Sequence, residues 1–170
     1  MIIYNMFQQF YPDEDYDSTY EIDFESYYRE GYRGILFDVD NTLVEHDQPA
    51  TLKAIALFEH LREIGFETCI ISNNKDYRVQ PFADAVESDF VYKAGKPSPK
   101  GYEEGMRRMK TNRDNTLFVG DQIFTDILGG NRAGVLTLLV HPIRFGTVFR
   151  ALRFGIETPF RAGAEDGRRL

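Results

Sequence analysis

Between residues 33 and 141, short apolar runs alternate with stretches of helical spacing. That alternation constrains the fold more than any other feature of the chain. The runs RGILFDV (33–39), FETCIIS (66–72), DFVYK (89–93), NTLFVG (115–120) and VLTLLVH (135–141) read as buried strands. Near-continuous apolar strands are the mark of a sheet covered on both faces. Between them lie candidate helices at 48–65, 76–87, 98–110 and 122–134. In the first, Leu52, Ile55, Ala56, Leu57, Leu61 and Ile64 recur at helical spacing, with Pro49 near its start and Gly65 as its stop. The second is interrupted or started by Pro81, and the third carries Ser98 as a cap with Pro99 in its first turn. Strands alternating with helices predict βαβ units with right-handed crossovers in a doubly wound α/β fold. Ligands of such folds bind at the carboxyl ends of the strands.

The polar residues stand there. Asp38-Val39-Asp40-Asn41-Thr42 follows the first strand and Ser72-Asn73-Asn74 the second. Lys96-Pro97 follows the third, and Gly120-Asp121 the fourth, with Asp126 five residues on. Taken singly, each has a plain structural reading: Asp and Asn form turns, serines cap helices, and lysines are usually solvated. Taken together they make a chemical set. Clustered carboxylates repel one another unless a cation neutralises them, and a donor set of hard oxygens favours Mg2+ over Zn2+. A carboxylate can attack phosphorus, a second one two residues on can move the proton, and hydroxyls and a lysine can hold the phosphoryl oxygens.

This ordered set resembles the haloacid dehalogenase (HAD) superfamily of phosphotransferases. FDVDNTLVEHDQP, ISNN, KAGKP and VGDQIFTDILGGNRAG resemble, more narrowly, the YqeG-type family of small HAD phosphatases, related to mitochondrial phosphatidylglycerophosphate phosphatase. The resemblance covers roughly residues 33–141. It implies a three-layer sandwich around a parallel five-stranded sheet, ordered 5-4-1-2-3 in the numbering of these strands. It implies Asp38 as nucleophile and Mg2+ ligand, and Asp40 as general acid and base that offers its backbone carbonyl to the metal. Asp121 becomes a further ligand, supported by Asp126. Thr42 and Ser72 bind the phosphoryl group, and Lys96 neutralises charge, with Lys93 as its rival. Asn41 and Asn73 shape loops, and Asn73 is also within the expected reach of substrate.

The implied function is Mg2+-dependent phosphomonoester hydrolysis through an aspartyl-phosphate. The favoured substrate is phosphatidylglycerophosphate. Nucleotide, sugar or protein phosphates are the alternatives, and a binding protein that kept the fold without turnover is the rival from another class. HAD enzymes often carry a cap domain between these motifs. Here 34 residues separate Asp38 from Ser72 and 24 separate Ser72 from Lys96, enough for the core elements alone. An uncapped site suits a phosphate projecting from a large body, such as a lipid headgroup at a surface.

Outside the core the composition shifts. Residues 1–30 carry a net charge of −7 and are dense in Tyr and Phe, which predicts a segment packed on the body. Residues 31–142 form the expected phosphatase core. Residues 143–170 are basic, and IRFGTVFRALRFGIETPF (143–160) mixes apolar residues with arginines. That pattern fits a closing helix or an amphipathic segment at an anionic lipid surface. An acidic body is a poor match for nucleic acid. No apolar run approaches 18 residues, the first residues lack the pattern of a signal peptide, and Cys69 is the only cysteine. These features fit a cytoplasmic protein with room for peripheral membrane contact or oligomerisation. Cys69 reads as core, and His46 as a loop residue near the site.

Overall fold

The computed structural model describes residues 7–143. Six parallel strands form one sheet, ordered β1-β6-β5-β2-β3-β4. They are β1 (Glu14–Tyr16), β2 (Gly34–Phe37), β3 (Glu67–Ile71), β4 (Asp89–Val91), β5 (Thr116–Gly120) and β6 (Leu136–Val140). The helices are α1 (Phe24–Arg29), α2 (Leu52–Ile64), α3 (Asp76–Val86), α4 (Lys100–Met109) and α5 (Leu128–Ala133). The five strands expected from sequence keep their expected order. The difference is a sixth, β1, which joins the edge beside β6. Its Glu-Asp-Tyr sequence carries no apolar signal, because an edge strand can form through backbone pairing alone. Asp13 secures the start, its carboxylate accepting from the Thr137 backbone N–H at 2.8 Å.

Period-two alternation divides the core. Ile35, Phe37, Ile70, Leu117, Val119, Leu138 and Val140 face one side, where they meet Phe24 of α1, Phe58 of α2 and Phe82 of α3. Leu36, Cys69, Ile71 and Phe118 face the other, against Tyr102 and Met106 of α4 and Ala133 of α5. Both faces are covered, so the strands need no polar side.

The helices depart from expectation in detail. In α2, Thr51 caps the first turn by accepting from the Ala54 N–H, and Gly65 ends the helix at φ +114°. Its inward face is Ala54, Phe58 and Leu61, whereas Leu52 is 86% exposed, contrary to the sequence reading. Helix α3 runs through Pro81 without ending. An interior proline costs about 3 kcal/mol, and burying Val79, Phe82 and Val86 at about 1.5–3 kcal/mol each outweighs it. Helix α4 starts at Lys100 with Pro99 in the cap position, and Ser98, one residue earlier, accepts only a long bond from the Lys100 N–H at 3.5 Å. The expected helix at 122–134 divides into a π-helical turn, Ile123–Ile127, and the short α5.

Cys69 is fully buried, and burial first, then nearby Asp89, pushes its thiol up to about 12. Only thiolate reacts with alkylating agents. Iodoacetamide at pH 8 is therefore expected to leave the native protein unlabelled and to modify Cys69 only after denaturation, as mass spectrometry would read. Among the described residues, no helix is long and apolar enough to cross a membrane. The expectations for the basic segment 143–170 lie outside the described residues, which reach only its first residue, Ile143.

Candidate active site

The site is assembled by loops leaving the carboxyl ends of β2, β3, β4 and β5. The Asp38 N–H donates to the Val119 carbonyl at 2.9 Å, which carries the β2–β5 ladder one residue past the strand and fixes where Asp38 stands. The chain then turns tightly: Asn41 adopts φ +62°, and its N–H donates to the Val44 carbonyl at 2.7 Å. Asparagine tolerates that left-handed backbone better than most residues. The turn is also held from the N-terminal segment. The Thr19 hydroxyl donates to the Thr42 carbonyl and the Tyr20 hydroxyl to the Leu43 carbonyl, both at 2.7 Å.

Lys96 is the electrostatic centre. Its side chain is 4% exposed, and Nζ lies 2.7 Å from Asp38 Oδ1 and 2.7 Å from Asp126 Oδ1. Lys93, the rival from sequence, is exposed. Both ends of the Asn73 amide are engaged with Lys96: Oδ1 accepts from its N–H at 2.7 Å, and Nδ2 donates to its carbonyl at 3.0 Å. Asn73 thus positions the lysine. The Ser72 hydroxyl, which lines the pocket from the end of β3, accepts from the Asn74 N–H at 3.1 Å.

The π-helical turn after β5 brings Asp126 inward. Its Oδ2 accepts from the Gln122 N–H at 3.1 Å, and Tyr102 of α4 donates to its backbone carbonyl at 2.9 Å. The carboxyl packs so closely on Gly120 that a Cβ there would lie 2.7 Å from it, so the glycine of the Gly120-Asp121 pair is required sterically. The Thr42 hydroxyl lies 3.2 Å from Asp38 Oδ2 and 3.4 Å from Asp121 Oδ1, bridging the two acids.

Asp38, Asp121 and Asp126 are all buried, with carboxylate oxygens within 4.8 Å of one another. One lysine against three carboxylates leaves an excess of two negative charges if all are ionised. Burial first, then Asp126 and Asp40, push the Asp38 carboxyl up to about 7 despite Lys96. Burial pulls the Lys96 ammonium down, but Asp126 and Asp38 overcome it and hold it above its ordinary value. The lysine therefore stays charged, and its one positive charge is shared by Asp38 and Asp126 beside the buried Asp121. A dense, oxygen-only, anionic set is what a hard divalent cation fits.

Asp40 lines a pocket of about 390 Å3 together with Asp38, Ser72, Lys96 and Asp126. Its Oδ1 accepts from Arg78 Nη2 at 2.7 Å and from the Asp47 N–H at 3.0 Å, and its Oδ2 accepts from Asn74 Nδ2 at 2.8 Å. Sequence reasoning missed Arg78 and Asn74. A lone arginine in the first turn of a helix carries no signal of its own, and Asn74, named among the polar residues after the second strand, was given no role. Gln122 and Thr125, which also line the pocket, were read only as part of a helix.

A family model of haloacid dehalogenase-like hydrolases matches residues 48–134. The protein named "Probable phosphatase YqeG" of Bacillus subtilis is 41% identical over 135 residues, 79% of this chain and 78% of that protein. The chain belongs to the haloacid dehalogenase-like hydrolases. It is a HAD-type phosphatase. Phosphatidylglycerophosphate phosphatase 1 of Arabidopsis thaliana is 30% identical over 138 residues, 72% of this chain and 38% of that longer protein. The solved structure of NagD from Escherichia coli superposes with a TM-score of 0.54 at 13% identity, covering 71% of this chain and 91% of that one, a likeness of fold. In this HAD phosphatase, one helix, α2, joins β2 to β3, and one helix, α3, joins β3 to β4. Neither connection holds a cap.

Proposed function

We propose that this phosphatase hydrolyses phosphomonoesters with Mg2+ and passes through an aspartyl-phosphate on Asp38. The observation that carries the reading is the buried Lys96 shared by Asp38 and Asp126 beside Asp121, at the open end of the sheet. Asp38, Asp121 and Asp126, with the Asp40 backbone carbonyl, would hold the cation, which supplies charge neutralisation for the phosphoryl oxygens. A carboxylate oxygen of Asp38 attacks phosphorus, and Asp40 hands a proton to the departing ester oxygen. Asp40 then takes a proton from the water that attacks the acyl phosphate. Lys96 offsets negative charge on nucleophile and phosphate, while the Thr42 and Ser72 hydroxyls donate to phosphoryl oxygens. Asn73 holds Lys96 in place.

The substrate reading rests on access. An uncapped pocket admits a phosphate that projects from a larger body, and the similarity to a phosphatidylglycerophosphate phosphatase supports a lipid headgroup. A cytoplasmic location with peripheral membrane contact belongs to the same proposal. Nucleotide, sugar and protein phosphates are the competing substrates. A panel of these, with phosphatidylglycerophosphate in mixed micelles, tests the reading. Phosphate release is expected with Mg2+ and lost in EDTA, and Mg2+ is expected to raise the melting temperature by relieving carboxylate repulsion. Release undiminished by the chelator would reject the metal-dependent scheme, and a strong preference for small sugar phosphates would reject the open-site argument.

A further inference from the structure

We infer that Arg78 is a positioning residue that fixes which oxygen of Asp40 carries the transferred proton. The inference rests on the reading of Asp40 as the proton-transferring group. Asp40 lines the pocket, whereas Arg78 does not. Arg78 lies behind the carboxylate, with its side chain 18% exposed and that of Asp40 14% exposed. The same Nη2 that meets Asp40 Oδ1 also lies 3.0 Å from the Gln48 carbonyl. The arginine thereby ties α3 to the loop that follows the DVDNT turn.

The donors around Asp40 are unequal. Oδ1 receives two of them, Arg78 Nη2 and the Asp47 N–H, and so has its acceptor directions occupied. Oδ2 receives one short bond, from Asn74 Nδ2, with His46 Nδ1 at 3.8 Å. A carboxylate oxygen has about two lone-pair directions in its plane. The second direction of Oδ2 is thus the place for a proton that can reach the pocket. Without Arg78 each oxygen keeps a single donor, the Asp47 N–H on Oδ1 and Asn74 Nδ2 on Oδ2, so nothing distinguishes the two sides and a protonated carboxyl can turn about its Cβ–Cγ bond and carry the proton away from the pocket. With Arg78 and the Asp47 amide gripping Oδ1, rotation is blocked and Oδ2 is the working atom.

The proton balance follows. In the first half-reaction the Oδ2–H bond breaks and the proton goes to the ester oxygen. The bond from that oxygen to phosphorus breaks, leaving its electron pair on the oxygen, as the bond from Asp38 to phosphorus forms. In the second, a water O–H bond breaks and the proton returns to Oδ2. The water oxygen bonds phosphorus, and the Asp38–phosphorus bond breaks with its pair returning to the carboxylate.

The test measures kcat and KM on two esters, an alkyl phosphate, whose leaving oxygen needs a proton, and p-nitrophenyl phosphate, whose leaving group departs without one. Arg78→Met is expected to lower kcat on the alkyl phosphate about 10- to 100-fold more than on p-nitrophenyl phosphate. KM should stay within about twofold on both, because Arg78 does not line the pocket. Arg78→Lys should recover only part of the loss, since an ammonium lacks the planar fork. In an Asp40→Asn background, Arg78→Met should have no further effect on the ratio of the two esters. Equal losses on both esters, a change in KM alone, or an undiminished effect in the Asp40→Asn background would overturn the inference. If Asp40→Asn itself left the ratio unchanged, the acid reading of Asp40 would fail instead. Thermal unfolding monitors each variant. If Arg78→Met does not fold, Arg78→Gln is read in the same assays.

Discussion

Asp38→Asn is expected to abolish turnover, with a loss of about 10^4-fold or more, while the protein stays folded. An amide is a poor nucleophile and a poor ligand for a hard cation. The substitution also removes a carboxyl that burial and Asp126 push up to about 7, and relief of that repulsion offsets the lost ion pair with Lys96 in the metal-free fold. Lys96 keeps a partner in Asp126 at 2.7 Å. Three measurements check this: steady-state phosphate release, thermal unfolding in EDTA, and binding of beryllium fluoride with Mg2+, which mimics a phosphoryl group on an aspartate. Activity and fluoride binding should vanish together while the melting temperature in EDTA holds or rises. Retention of more than a few per cent of activity would move the nucleophile elsewhere.

Lys96→Met carries the second large effect, and it is on stability as well as rate. Removing one partner from a buried ion pair costs about 3–5 kcal/mol, because the remaining charge is left without compensation. Here two carboxylates, Asp38 and Asp126, would be left. The sign with pH is fixed by the direction of the Asp38 shift. A carboxyl whose folded value lies above its unfolded one binds its proton more tightly when folded, so stability rises as pH falls. With lysine present that value is already about 7. Chemical denaturation should therefore show the variant strongly destabilised at pH 8 and substantially recovered near pH 5. Turnover at neutral pH should fall by about 10^2- to 10^3-fold, the range for losing one preorganised charge at a reacting centre. A variant as stable as the wild type at pH 8 would mean that the lysine is not compensating the two acids.

The places where sequence and structure agree share a cause. Asp38, Ser72, Lys96 and Asp121, with Asp126 five residues on, were legible because a doubly wound parallel sheet gathers its polar residues at strand ends, and Asp38, Ser72 and Asp121 directly follow buried runs. What stayed hidden depends on geometry that local sequence does not encode. Glu14–Tyr16 forms a strand only because β6 offers an edge. Leu52 shares helical spacing with core residues, yet the helix begins there and its rotation turns that position to solvent. Residues 123–127 have a helix-like pattern, yet they form a wider turn in which Asp126 packs on Gly120 and is held by Gln122 and Tyr102. Arg78 gains its meaning from Asp40, 38 positions earlier in the chain.

The hydroxyls of Thr19 and Tyr20 grip the two carbonyls that follow Asn41. The stretch around Thr19 and Tyr20 is consequently a brace for the turn that presents Asp38 and Asp40. Thr19 is fully buried, so a larger or apolar side chain there would break the bond to the Thr42 carbonyl and loosen the turn. A protease cut between β1 and α1 would reach the chemistry by slackening a loop rather than by removing a reacting group.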